Sequence, residues 1–318
     1  MLQTNEISIS GNLQEQETGY LNKVYADSLS EFGNPVFLPH SQGWILKRQI
    51  SGSNYRDAMG CYPLFICQNW SGLSADLEDL GNDLVSLSLV ADPFGHYELP
   101  ELHCYFKDIV QPFKTHYIVD LRIPIDHSVS AHHRYYVRKA NRTVNIFRSE
   151  TPGSLVKQWC KLYDVLIERH GIRGIKAFSK ESFEKQMTIH GITVFCSEKD
   201  DKINGMQLWY TIGNRAYHHL SAYNLEGYRL RVSYGLLGYA IRWFESIGLR
   251  WLDLGGVASM SDSNDGLAKF KSGWTKLTRT AFFCGRIFDS ELYYNLVKKT
   301  ETFNTKYFPA YRNGELTN

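Results

Sequence analysis

Residues 253–274 read DLGGVASMSDSNDGLAKFKSGW, and the parsing of this stretch decides the fold. It grows out of LRWLDL (249–254), an apolar run with few polar interruptions, as expected of a strand buried on both faces. The strand runs into Gly255 and Gly256 and crosses a polar loop. A short basic segment answers it, in which Lys269 and Lys271 flank Phe270 and Trp274 follows. Asp265, just before GLAKF, has the position of a helix N-cap. Asp253 carries two readings, a turn cap ahead of Gly-Gly or a base for an attacking group.

Upstream, VSYGLLGYAIRWFESIG places Leu237, Ile241, Phe244 and Ile247 on one helical face, with Gly248 at the C-terminal end. Before it, GITVFCSEK and NGMQLWYTIGNRAYHHLSAYN read as three strands of an antiparallel meander. His218 and His219 fall on its last strand, where alternation sends one of them to each face. SLVKQWCKLYDVLIERHG spaces Leu155, Trp159, Leu162, Val165 and Leu166 as a helix closed by Gly171. The order is helix, meander, helix, strand.

The first half is a series of short strand-like runs: GCYPLFICQ, DLVSLSLVADPFG and THYIVDLRIP. The character changes at SVSAHHRYYVRKANRTVNIFR (128–148), which has no acidic residue. Arg134, Arg138 and Arg142 recur every fourth residue, one stripe of a helix with Lys139 beside it, and phosphate is the natural partner of such a row of guanidiniums. These shifts divide the chain into an N-terminal domain (1–127), a basic junction helix (128–148), a C-terminal domain carrying the chemistry (149–300) and a C-terminal tail (301–318).

The whole chain of 318 residues suits two domains of ordinary size. A formal net charge of +2 argues against a protein that coats nucleic acid. Cys61, Cys67, Cys104, Cys160, Cys196 and Cys284 form no CxxC pair and have no histidine at metal spacing, so neither a metal site nor a disulfide framework is expected. With no run approaching the ~18 apolar residues of a membrane span, a cytoplasmic protein is expected, working in solution or at the inner membrane face.

YHHLSAYN, the helix ending AIRWFESIG, WLDLGG and GLAKFKSGW together resemble the C-terminal half of the FemABX and FemAB-like acyltransferases, of the GNAT superfamily. The resemblance implies an α/β (α+β) protein of two tandem GNAT-like domains, each a mixed, largely antiparallel twisted sheet flanked by helices. It maps the family's strand aspartate, glycine-rich loop and Phe-Lys pair onto Asp253, Gly255, Gly256, Phe270 and Lys271. SQGWILKR offers Lys47 or Arg48 as the equivalent of a lysine that the family places after a tryptophan. Arg229 opens a turn like the one that cradles the pyrophosphate of coenzyme A in this superfamily, but Val232 and Tyr234 occupy the positions of its small residues. His218, Tyr223 and Trp274 complete the expected substrate and donor surface. The implied activity joins an acyl or aminoacyl group to an amine of a cell-envelope precursor, amino sugar or small peptide. The donor would be aminoacyl-tRNA or acyl-coenzyme A used as co-substrate, with no tightly bound cofactor and no metal. Two other readings stand beside it: a conventional acyl-coenzyme A transferase of surface-polysaccharide synthesis, and a non-catalytic module binding RNA or an anionic polymer.

Overall fold

The computed structural model describes residues 18–257 and 266–315; Asp265 and its expected cap lie outside them. Eleven strands are described: β1 (Asn34–Leu38), β2 (Gly43–Gln49), β3 (Arg56–Gly60), β4 (Ser86–Val90), β5 (Ile109–Asp120), β6 (Asn145–Arg148), β7 (Ile192–Lys199), β8 (Lys202–Ile212), β9 (Arg215–Tyr223), β10 (Trp251–Val257) and β11 (Thr278–Ile287). They form one sheet in the order β1-β2-β3-β4-β11-β5-β10-β9-β8-β7-β6. Neighbours run antiparallel except β3 with β4 and β9 with β10.

The meander is β7-β8-β9. Its first turn carries Asp200 and Asp201 at φ of 50° and 58°, the left-handed pair that a two-residue hairpin turn needs. The helix Val156–His170 ends on Gly171 at φ 58° and buries Trp159 and Leu162 against one face of the sheet. The helix Val232–Ser246 covers the other face with Leu237, Ile241 and Phe244, each worth about 1.5–3 kcal/mol on burial. Ile247, expected on that face, caps the helix and is exposed, because the helix ends one residue before it.

The two halves do not keep separate sheets. β5 pairs with β10, and β11, from the segment expected in the C-terminal domain, inserts between β4 and β5. The expected tail also packs: Tyr311 and Arg312 are buried, and Arg312 Nε donates to Asp57 Oδ2 at 2.5 Å. A buried carboxylate needs such partners. Among the described residues no helix is long and apolar enough to cross a membrane.

Candidate functional site

β9 and β10 are paired for three residues only, from Trp251–Arg215 to Asp253–Tyr217. β9 continues to Tyr223 and β10 to Val257, so the strands part within the sheet. A bulge helps them to do so: opposite β5, Asp253 pairs with Ile118 but Gly256 pairs with His116. Gly255, inside the bulge, takes φ 81°, a conformation that favours glycine. The parting opens a cavity of about 950 Å³.

Asp253, Gly255, Gly256, Phe270, Lys271, His218 and Tyr223, all expected from the sequence, line this cavity. Asp253 is 2% exposed and is a turn cap, since its Oδ1 accepts from Gly255 N at 2.7 Å. It is also one half of a pair: His116 Nδ1 donates to its two oxygens at 2.9 and 2.7 Å. A carboxylate only accepts, so Nδ1 carries a proton and Nε2 is left facing Gly256, within 2.8 Å of where a side-chain carbon there would stand.

Lys271 is buried on the helix Gly266–Ser272, and its Nζ donates to Gly256 O at 3.2 Å. The aromatics fix it through His133. That imidazole donates from Nε2 to Phe270 O at 2.8 Å and bonds Ser130 Oγ through Nδ1 at 2.9 Å, while its ring contacts Phe270, Tyr234 and Trp274. A side-chain carbon on Gly273 would fall 2.0 Å from the His133 ring, so SGW keeps its glycine for close packing. Trp274, 1% exposed, stands behind Phe270 and does not line the cavity.

The histidines of β9 divide between the faces. His219 bonds Tyr20 Oη at 3.0 Å and Gln186 Oε1 at 3.1 Å, and burial and then His218 hold it down at about 3. His218 lies on the Trp209 ring with centroids 4.7 Å apart. Burial first, and the Lys271 charge second, hold it also at about 3, so both rings are neutral near pH 7.

Other expected residues stand outside this cavity. Lys47 is paired with Asp83, and Arg48 Nε with the buried Asp57 at 3.1 Å. Arg134 donates to the carbonyls of Asp126 and Val129, both at 2.7 Å, which ties down the start of its helix and removes it from the stripe. Arg138, Lys139 and Arg142 are exposed at the end of the helix Ala131–Asn141, outside the cavity wall. Arg229 lies 3.5 Å from Glu226 and is also outside it. Val232 is fully buried, and Tyr234 packs on Phe270 at 5.0 Å.

Lys114, His116 and Arg169 are among the polar residues of the wall that escaped the sequence reading. His116 and Lys114 lie on β5, quoted there only as a strand, and Arg169 closes the helix Val156–His170 with its guanidinium 4.4 Å from the Tyr228 ring centre. Period-two alternation puts Lys114 and His116 on one face, a signal that becomes useful only once β10 is known to be their neighbour. Among the described residues of the wall, Lys114, Arg169 and Lys271 face one carboxylate, Asp253, and this part of the wall favours an anionic occupant. Burial and the neighbouring Lys176 hold Lys114 below the usual lysine range.

Residues 128–272 match the family of acetyltransferase (GNAT) domains. No curated protein sequence matches the chain. Among solved structures, FemX superimposes with a TM-score of 0.68 at 14% identity, over 93% of this chain and 99% of its own. The C-terminal domain of a putative lysylphosphatidylglycerol synthetase from Agrobacterium fabrum gives 0.60 at 14% identity, over 87% and 91%. L-PGS from Bacillus licheniformis gives 0.54 at 13%, over 89% and 97%. The chain therefore has the GNAT acyltransferase fold in a FemAB-like arrangement.

Proposed function

We propose that this chain, an acyltransferase by its GNAT domain, moves an acyl or aminoacyl group directly from a phosphate-bearing donor to an amine of a cell-envelope precursor. One observation carries the reading: the sheet opens between β9 and β10, and Lys271 stands at the edge of the opening. Past Tyr217 the β10-facing edge of β9 has no strand partner among the described residues, so its backbone groups are open to a substrate that enters the opening.

When the amine attacks the acyl carbon, negative charge develops on the carbonyl oxygen. Lys271, held by its bond to Gly256 O, supplies positive charge to that oxygen. One such preorganised group is worth ~100-fold or more in rate. The transfer is read as direct, without an acyl-enzyme. Holding donor and acceptor together in the opening supplies the rest.

Aminoacyl-tRNA is the donor we favour over acyl-coenzyme A, because Val232 and Tyr234 are packed into the protein where a pyrophosphate cradle needs small residues. Arg138, Lys139 and Arg142 then form an outer phosphate-binding surface for a substrate that extends beyond the cavity. A fold shared with a protein named for lysylphosphatidylglycerol supports an envelope acceptor, reached in the cytoplasm at the inner membrane face.

The test is to incubate the protein with lysyl-tRNA or acetyl-coenzyme A and follow loss of the donor, with and without an amine acceptor such as glucosamine or an alanyl peptide. Transfer that falls ~100-fold in Lys271→Met, with unchanged thermal unfolding, is expected. Donors left intact by the parent protein would reduce the fold to a binding module.

A further inference from the structure

We infer that His116, oriented by Asp253, is the general base that takes the proton of the acceptor's attacking group; this rests on the acyl-transfer reading above. The pair is distant in sequence, 137 residues apart, yet its partners are as close as the fold allows. Both carboxylate oxygens of Asp253 accept from His116 Nδ1, and both side chains are buried.

The orientation is what a base requires. A buried carboxylate on Nδ1 fixes the ring and its tautomer, and puts the basic lone pair on Nε2. Nε2 lies beside Gly256 at the cavity wall. The same carboxylate offsets the positive charge that the ring acquires on taking a proton.

The surroundings divide base from electrophile. Leu254 points into the apolar cluster that contains Trp274 and packs on Phe270, so its neighbour Asp253 stands with His116 on the other face of β10. Lys271 reaches Gly256 O from the cluster side. Base and cation thus converge on the Gly255–Gly256 turn from two sides. The other charged groups around His116 are Lys114, two residues earlier on β5, and Arg279, its partner on β11. Arg279 is turned away, donating to Pro93 O at 3.2 Å with its guanidinium 4.4 Å from the Phe94 ring centre. His218, from β9, is neutral.

The step balances without an added reagent. The acceptor's lone pair forms the new bond to the acyl carbon while its proton moves to His116 Nε2, and the carbonyl π pair moves onto the oxygen near Lys271. As the tetrahedral centre collapses, the bond to the donor's oxygen or sulfur breaks. The imidazolium then returns the proton to that leaving atom. The product is the acylated acceptor and the free alcohol or thiol of the donor.

The experiment measures kcat/KM against pH for the parent protein, His116→Gln, Asp253→Asn and Lys271→Met, with lysyl-tRNA and acetyl-coenzyme A as donors and glucosamine and an alanyl peptide as acceptors. General-base loss typically costs ~10²–10⁴-fold. His116→Gln is expected to lose that much and to make the acid limb shallower by one proton, leaving the ionisation of the acceptor amine, whereas Lys271→Met loses rate but keeps the parental limb. A second readout does not require turnover or a His116 variant that folds: histidine-side-chain 15N NMR should show the Nδ1-protonated tautomer in the parent and its loss in Asp253→Asn. A His116→Gln protein that keeps both rate and limb overturns the assignment and leaves acyl transfer standing, as does a parent spectrum with the proton on Nε2. No transfer by the parent from either donor overturns both.

Discussion

Replacing Gly256 with alanine adds a single methyl group where the cavity wall has no room for it. The new carbon would lie 2.7 Å from Lys114 Cβ, 2.8 Å from His116 Nε2 and 2.9 Å from His116 Cδ2, whereas ordinary contacts begin at 3.4 Å. To restore contact distance the His116 ring must retreat by about 0.6 Å, and Lys114 Cβ, fixed to the β5 backbone, gives little. Overpacking of this kind costs typically 1–3 kcal/mol. Gly256 does not have a left-handed φ, so the penalty is steric and not one of backbone strain. Displacing a reacting group by about 1 Å costs on the order of 10²-fold in rate, so Gly256→Ala should lose most of its transfer activity while unfolding only slightly earlier. Urea unfolding and transfer assays on the same preparations measure both, and Gly153→Ala, whose added carbon would meet no described atom closer than 3.7 Å, is the steric control. A Gly256→Ala protein with parental rate and parental stability would refute the geometry of the turn and the placement of His116 beside it.

Trp274→Ala should lower stability by about 3–5 kcal/mol, as for other buried aromatics, and an unchanged melting temperature would show that the ring is not packed behind Phe270. Arg138→Glu should raise KM for a phosphate-bearing donor with a smaller fall in kcat, an effect that added salt mimics in the parent; equal KM and equal salt dependence would return this helix end to plain solvated surface. Asp92 is raised to about 6, mainly by burial, with the Phe94 amide, Arg215 and Tyr217 opposing the rise. The folded state therefore holds this proton more tightly than the unfolded chain, so stability should fall as pH rises from about 4 to 6 and level off above. Asp92→Asn should remove that slope in urea titrations at stepped pH, and an identical slope would assign it to other groups.

The parts of the site that lie close together in the chain were legible. An apolar strand running into two glycines, followed by GLAKFKSGW, singled out Asp253, Gly255, Gly256, Phe270 and Lys271 through the resemblance to the FemAB-like family, and the turn and the short basic helix bring them together at the cavity wall. Strand alternation separated His218 from His219 without choosing between them, and both line the cavity. His116 was not legible, since its role comes from the pairing of β5 with β10 across 137 residues, and nothing in THYIVDLRIP separates this histidine from any other on a strand. Two of the arginines are placed differently for a related reason. Charge pattern shows which side chains are cationic, but Arg48 and Arg134 are occupied by Asp57 and by two carbonyls that only the fold brings near.

The place of β11 has a consequence for the order in which the molecule can be built. Residues 278–287 are translated after most of the chain, yet they fill the gap between β4 and β5, both complete by residue 120. Until β11 arrives, the first half of the nascent chain exposes two unpaired edges, each a template for association with another chain. Folding of that half waits for sequence-distant pairing, which makes it slow and exposes it to aggregation. Neither half is an independent cassette: a fragment ending near residue 127 lacks its own central strand, and a fragment beginning there carries one with nothing to pair on either side. Exchange of domains with a relative would have to carry β11 with the first half, as a second and non-contiguous segment.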